Sequence, residues 1–148
     1  MSQVITHIFM FMVAFTAATI LPGSSEVALA ASIAANPGYT ITLFLSALTG
    51  NVLGSVLNWA LGRWAARLVG RRGFPVTAQQ LARASTLFNR YGNWLLLFSW
   101  APFVGDPLTV VSGSLRVNFW LFLILVTFGK AVRYLVVVGG VEILRGLV

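Results

Sequence analysis

Four charged residues stand inside otherwise apolar stretches of this 148-residue chain: Glu26, Asp106, Lys130 and Arg133. They are two acids and two bases, so their charges cancel. Each acid lies four residues after a proline, in Pro22-Gly-Ser-Ser-Glu26 and Pro102-Phe-Val-Gly-Asp106-Pro107. Lys130 and Arg133 are three apart and share one face of a helix. A carboxylate in an apolar setting can take up a proton, and a cation opposite it can hold it ionised. The four therefore form the candidate transport or proton site. Ser24, Ser25, Asn51, Asn58 and Ser99 are the neutral hydrogen-bonding groups expected to support it. Two readings are open at this point. One is a polar path through a bilayer, and the other is a buried ion-pair network that fixes the fold. Both respect the high cost of an unpaired ion at the bilayer centre.

The remaining charges carry a different message. Only 9% of residues are charged while 58% are hydrophobic, and mean hydropathy is +0.89. Soluble domains hold about 25% charged residues, so this composition cannot cover a water-facing surface. It argues against a soluble enzyme, a disordered tail and a nucleic-acid-binding domain, despite a net charge of +7. Between Arg63 and Arg90 stand six arginines and no acid. That run is the positive-inside signature of a cytoplasmic loop, and it can also attract anionic lipid headgroups. The chain has no cysteine and one histidine, which argues against a disulfide framework and a metal centre. No cofactor is expected. His7 is expected at a solvated or interfacial position.

These charges need membrane elements to place them. A span takes about 20 apolar residues, so the chain has room for four to six segments in one membrane domain, residues 1–148. The first half, 1–62, divides into a broken segment at 4–36 and a full span at 39–62. The basic loop, 63–90, is expected to hold a short interfacial helix. The second half, 91–148, divides into a broken segment at 91–115 and a full span at 117–141. Pro22 and Gly23 mark one break, and Pro102, Gly105 and Pro107 mark the other. Backbone broken at membrane depth must be buried in protein or line a polar cavity. Gly50, Gly54, Asn58 and Gly62 fall four apart, and a small-residue stripe of this kind lets another helix come close.

The two halves repeat one pattern. Glu26 precedes Gly50-Asn51 by 24 residues, and Asp106 precedes Gly129-Lys130 by 23. Each half is a broken segment with Pro-x-x-x-acid, followed by a span with a Gly-polar pair. Paired broken segments of this kind point to a transporter site. If each broken segment is a re-entrant hairpin, each half crosses once. The repeats are then inverted, the hairpins meet tip to tip near the midplane, and both termini are periplasmic. If the segments are full spans, both termini are cytoplasmic. The Arg63–Arg90 loop is cytoplasmic in either case. The expected fold is thus an all-α integral membrane protein, an inverted repeat of broken hairpin plus full helix.

Leu21-Pro-Gly-Ser-Ser-Glu-Val27, Gly50-Asn-Val-Leu-Gly54, Arg90-Tyr-Gly92, Ser99-Trp-Ala-Pro-Phe-Val-Gly-Asp106 and Phe128-Gly-Lys-Ala-Val-Arg-Tyr134 resemble the DedA family. This is also the SNARE-associated or VTT-domain family, and the likeness is to its small YqaA-like branch. The resemblance runs over nearly the whole chain. It implies a bacterial inner-membrane protein with two re-entrant hairpins in inverted arrangement. It also implies a role in lipid transport or scrambling, including carriage of polyprenyl-phosphate lipid, and in maintaining proton-motive force. Better-known members carry an Arg-Phe-x-Pro-x-x-Arg frame at the second hairpin. Here that frame reads Ser99-Trp-Ala-Pro-Phe-Val-Gly105, and both arginines are absent. Phosphate recognition relies on Arg or Lys, so Lys130 and Arg133 are the residues expected to supply that charge.

The expected function is a flippase- or scramblase-like lipid transporter acting on anionic or zwitterionic headgroups, with or without proton coupling. The alternatives are a proton-coupled transporter of a small solute or ion, and a non-transporting membrane protein with a structural ion-pair network. No nucleophile is marked, so an enzyme is not expected. Small-residue stripes also permit a homo-oligomer.

Overall fold

The computed structural model describes residues 3–19, 24–65, 67, 78–101 and 105–147. Pro22, Gly23 and Pro102, expected at the two breaks, lie outside the described residues, as do positions 68–77 of the basic loop. Every regular element among the described residues is helical. In order they are α1 (Gln3–Ala17), α2 (Ser24–Ala35), a 3₁₀ turn (Pro37–Tyr39), α3 (Thr40–Ala65), α4 (Ala78–Tyr91), a 3₁₀ segment (Gly92–Trp100), α5 (Gly105–Ser114) and α6 (Phe119–Gly146).

Length separates these helices into two kinds. α3 has 26 residues and α6 has 28. At 1.5 Å per residue they reach roughly 40 Å, beyond the roughly 30 Å of bilayer hydrocarbon. Both are long and apolar enough to cross a membrane. α1, α2 and α5, with 15, 12 and 10 residues, reach only about 15–22 Å. Large side chains such as Ile8, Ile41, Ile124, Phe128 and Val136 are exposed along the outside. Exposed apolar surface on this scale suits contact with lipid rather than water.

The chain divides into two compact units, one of Met1–Gly54 with Lys130–Val148 and one of Ser55–Gly129. In the first, α1 and α2 pack together. The core takes residue pairs four apart from three helices: Met10 and Ala14, Leu29 and Ile33, Leu43 and Ala47. Positions four apart stack on one helix face, so each helix contributes a single stripe. Tyr134 of α6 closes the cluster. α2 ends where Asn36 binds back to the Ser32 carbonyl through its backbone N–H, at 3.0 Å, and its side-chain amide, at 3.2 Å. Pro37 follows and cannot continue the helix.

In the second unit Phe88, Leu96, Leu108, Val117, Phe122, Leu125 and Val126 form the core. Here the broken segment is built differently from the first. Its leading arm is a nine-residue 3₁₀ segment, long for a form usually limited to three or four residues. With three residues per turn, Leu96 and Ser99 share the buried side, 0% and 1% exposed. Gly92, at φ +65°, opens this segment directly after α4. Tyr91, expected to open the broken segment, instead closes α4, because buried Phe88 in its last turn anchors that helix to the core. α6 starts two residues later than the expected span, at a cap: Asn118 Oδ1 accepts from the N–H groups of Trp120 and Leu121 at 3.0 and 3.3 Å. It also continues five residues past the expected end, where Glu142 and Arg145 pair along its surface.

α5 ends in a tight corner. The N–H of Arg116 donates to the Gly113 carbonyl, and that of Val117 to the Ser112 carbonyl, both at 3.0 Å. This is a Schellman end with Arg116 in the left-handed position at φ 58°. Left-handed backbone costs a non-glycine residue about 1–2 kcal/mol. Arg116→Gly is therefore expected to hold or raise the unfolding temperature of the purified protein in detergent. Arg116→Val is expected to lower it, as a branched side chain tolerates positive φ least. The reverse order would contradict this reading of the corner.

Candidate functional site

Glu26 sits in the first turn of α2, where the unpaired N–H groups of a helix start favour an acid. Its Oε2 accepts from Ser25 Oγ at 3.3 Å. Its Oε1 pairs with the Arg133 guanidinium of α6, and both side chains are largely buried, at 18% and 14% exposure. One turn earlier on α6, Lys130 is 1% exposed. Its ammonium donates to Asn51 Oδ1 of α3. Asn51 in turn donates through Nδ2 to the Tyr134 hydroxyl at 2.9 Å. The amide of Asn51 thus serves two α6 side chains, taking a proton bond from one and giving a proton bond to the other.

Glycine makes room for this arrangement. A side chain at Gly50 would collide with the Phe11 carbonyl of α1, and one at Gly54 would lie 2.7 Å from the Phe15 carbonyl oxygen and from Ala18 Cβ. α3 therefore lies against the backbone of α1. Lipid offers no hydrophobic force to pull helices together, so such contact supplies the packing instead.

At the far end of the same unit, the start of α1 meets the start of α3. Gln3 Nε2 donates to the Tyr39 hydroxyl. His7, expected in solvent or at an interface, is half-buried, with Nδ1 2.7 Å from the Gln3 carbonyl and Nε2 2.8 Å from Thr42 Oγ1. It ties α1 to α3. The start of α1 and the start of α3 thus lie together, and α2 with Glu26 falls between them in the chain.

The second unit holds Asp106, Asn58 and Ser99. Asp106 is half-buried in the first turn of α5 and its carbonyl accepts from Thr109 Oγ1 at 2.6 Å. Pro107 follows, exposed, in the first turn where helices tolerate proline. Gly105 abuts the Ser99 carbonyl, which any side chain would strike. Ser99 Oγ is buried without a hydrogen-bond partner, 3.2 Å from where a Cβ on Gly129 would stand. Asn58 is 7% exposed on α3. One turn on, α3 and α5 cross through glycines on both sides: a Cβ on Gly62 would strike the Val110 carbonyl, and one on Gly113 the Trp59 carbonyl. Ser114 Oγ donates to the Gly62 carbonyl at 2.9 Å. The end of α5 thus lies against α3 near Gly62.

The structure brings Glu26 to Arg133 and Ser25, and Lys130 to Asn51. Ser24 is exposed at the start of α2. Sequence reasoning missed Tyr134. Its signal was its position, four after Lys130 on the face that also carries Arg133.

Two long apolar helices, with shorter helices and charged groups packed against them, are consistent with a helical membrane protein. Residues 4–142 match the VTT domain, and the chain belongs to this family, the DedA family. It is 35% identical over 139 residues to inner membrane protein YqaA of Escherichia coli, covering 93% of this chain and 92% of that one. YqaA of Shigella flexneri matches equally. A Haemophilus influenzae protein described as uncharacterized is 36% identical over 133 residues, covering 85% and 81%. No solved structure matches.

Removing one member of a buried ion pair leaves the other charge stranded, which costs about 3–5 kcal/mol. Glu26→Gln and Arg133→Met are each expected to lower the unfolding temperature in detergent. The double variant is expected to lose less than the two single losses added. Strictly additive losses would show that the two side chains act independently.

Proposed function

We propose that this protein is a multi-pass inner-membrane lipid transporter of flippase or scramblase type. In this reading both broken segments are re-entrant hairpins of an inverted repeat, and the Arg63–Arg90 loop is cytoplasmic. The observation that carries it is the meeting of Gln3 and His7 with Tyr39 and Thr42. A segment that begins and ends at one end of a full span has dipped into the membrane and come back. Its arms, α1 and α2, are too short to cross singly. The returning arm carries Glu26 into the hydrocarbon, where the ion pair with Arg133 makes it tolerable. The return of the second segment to Gly62 supports the same reading of that half.

A headgroup moving through a bilayer needs polar partners along its route. Arg133 and Lys130 offer cations for a phosphate, and Glu26 offers an acceptor for an ammonium group or a proton. Passage would open the Glu26–Arg133 pair and close it again. Membrane lipids are the proposed partners and protons the proposed coupling species. The reading involves no bond-making chemistry.

Reconstitution in liposomes tests this. With a fluorescent headgroup-labelled phospholipid in both leaflets and a membrane-impermeant quencher outside, transport is expected to expose the inner half of the label. Glu26→Gln and Arg133→Met are each expected to slow that exposure at least about ten-fold, the effect of losing roughly 1.4 kcal/mol at the rate-limiting step. Exposure only under a pH gradient would assign proton coupling. Vesicles inert with and without a gradient would overturn the proposal in favour of the structural role.

A further inference from the structure

An apolar groove of about 540 Å³ opens on the surface of the second unit. α4 lines it with Leu87 and Tyr91, the 3₁₀ segment with Trp94, Leu95 and Phe98, and α5 with Leu108. The three-residue repeat of the 3₁₀ segment puts Leu95, Phe98 and Ala101 on one side, so the groove has a continuous wall. Its volume falls within the roughly 300–1,000 Å³ of ligand sites. Tyr91, Trp94 and Phe98 stay about half or more exposed, at 52, 69 and 56%. Tyr and Trp of this kind gather where hydrocarbon meets headgroups.

One edge of the groove is charged. The Arg90 guanidinium lies 5.5 Å from the centre of the Tyr91 ring, and that ring is itself part of the groove wall. Arg83 stands four residues before Leu87 and so on the same side of α4. Both arginines are exposed, and the surrounding 63–90 stretch has no acid. An acyl-sized apolar cleft edged by an arginine is complementary to one class of molecule.

We propose that this groove binds one anionic glycerophospholipid, an acyl chain lying along Leu87, Leu95 and Phe98 and its phosphate on Arg90. Guanidinium suits phosphate because it presents two parallel N–H donors. The site is distinct from Glu26 and Arg133, and it needs no lipid movement: a protein that transports nothing can hold this lipid. Its role is to seat α4 at the membrane surface, so that the amphipathic helix and the 3₁₀ segment share one lipid as packing material.

Hydrocarbon fills any apolar groove in a bilayer, so the headgroup preference is the decisive observable. The full chain is reconstituted in phosphatidylcholine vesicles with rising fractions of bromine-labelled-chain phosphatidylglycerol, or of bromine-labelled-chain phosphatidylcholine. Bromine quenches nearby tryptophan, and subtracting the Trp94→Phe variant isolates the groove. Half-quenching is expected at about five-fold lower fraction of the anionic lipid, the preference that one surface cation gives. Arg90→Gln is expected to abolish the preference, Arg90→Lys to retain most of it, and Arg67→Gln, which removes a loop charge elsewhere, to leave it intact. Arg90 is exposed, so these variants leave the core untouched. Equal quenching by both lipids would overturn the proposal. So would a preference that survives Arg90→Gln, or one that falls equally with Arg67→Gln.

Discussion

A glutamate and an arginine inside apolar helices are tolerable only where they meet, and the meeting of Glu26 with Arg133 sets the terms for the first unit. It joins the opening turn of α2 to the middle of α6. Lys130, one turn away, joins the same helix to Asn51 of α3, and the Tyr134 hydroxyl accepts from Nδ2 of that amide. Such pairs add little net stability compared with apolar packing, but breaking one is costly. Their effect is to exclude other helix arrangements, since any rotation of α6 by a fraction of a turn strands a charge in hydrocarbon. Gly50 and Gly54 then let α1 close against α3 without disturbing those contacts.

The second unit solves the same packing problem through close backbone contacts. Gly62 and Gly113 let α3 and α5 cross backbone to backbone, and Ser114 bridges to the Gly62 carbonyl. Gly105 lies on the Ser99 carbonyl where the 3₁₀ segment turns into α5. Asn118 and the left-handed Arg116 shape the corner into α6. A long helix in each unit offers a glycine to a carbonyl of the leading arm: Gly50 to Phe11 and Gly129 to Leu97. Backbone contact of this kind packs each leading arm against a long helix without side chains to fill the gap.

What the sequence revealed follows from how local each cause is. The long spans were legible because hydropathy and length are summed along the chain. The candidate charges stood out against apolar neighbours, and Lys130 and Arg133 shared a face by spacing alone. Which acid meets which cation was not legible, because it depends on two helices about a hundred residues apart in the chain. Tyr134 was missed because tyrosine reads as apolar until its hydroxyl has a partner. The 3₁₀ form of residues 92–100 was missed because the run is apolar all round, so its three-residue repeat shows only in burial, with Leu96 and Ser99 inside. The contact of His7 with Thr42 was not legible because the two lie 35 residues apart in the chain.

Family membership, two membrane-length helices and an ion pair within the first unit support the proposed reading, in which the broken segments enter the bilayer and return. The most direct test uses the absence of cysteine in the chain. Single cysteines at Gln3, Gly38 and Arg67 in intact cells are probed with a membrane-impermeant maleimide before and after permeabilisation. Re-entry of the first segment requires Gln3→Cys and Gly38→Cys to label together from the periplasm, and Arg67→Cys only after permeabilisation. Labelling of Gly38→Cys from the periplasm with Gln3→Cys protected until permeabilisation would show that the segment crosses the membrane, and would contradict the account.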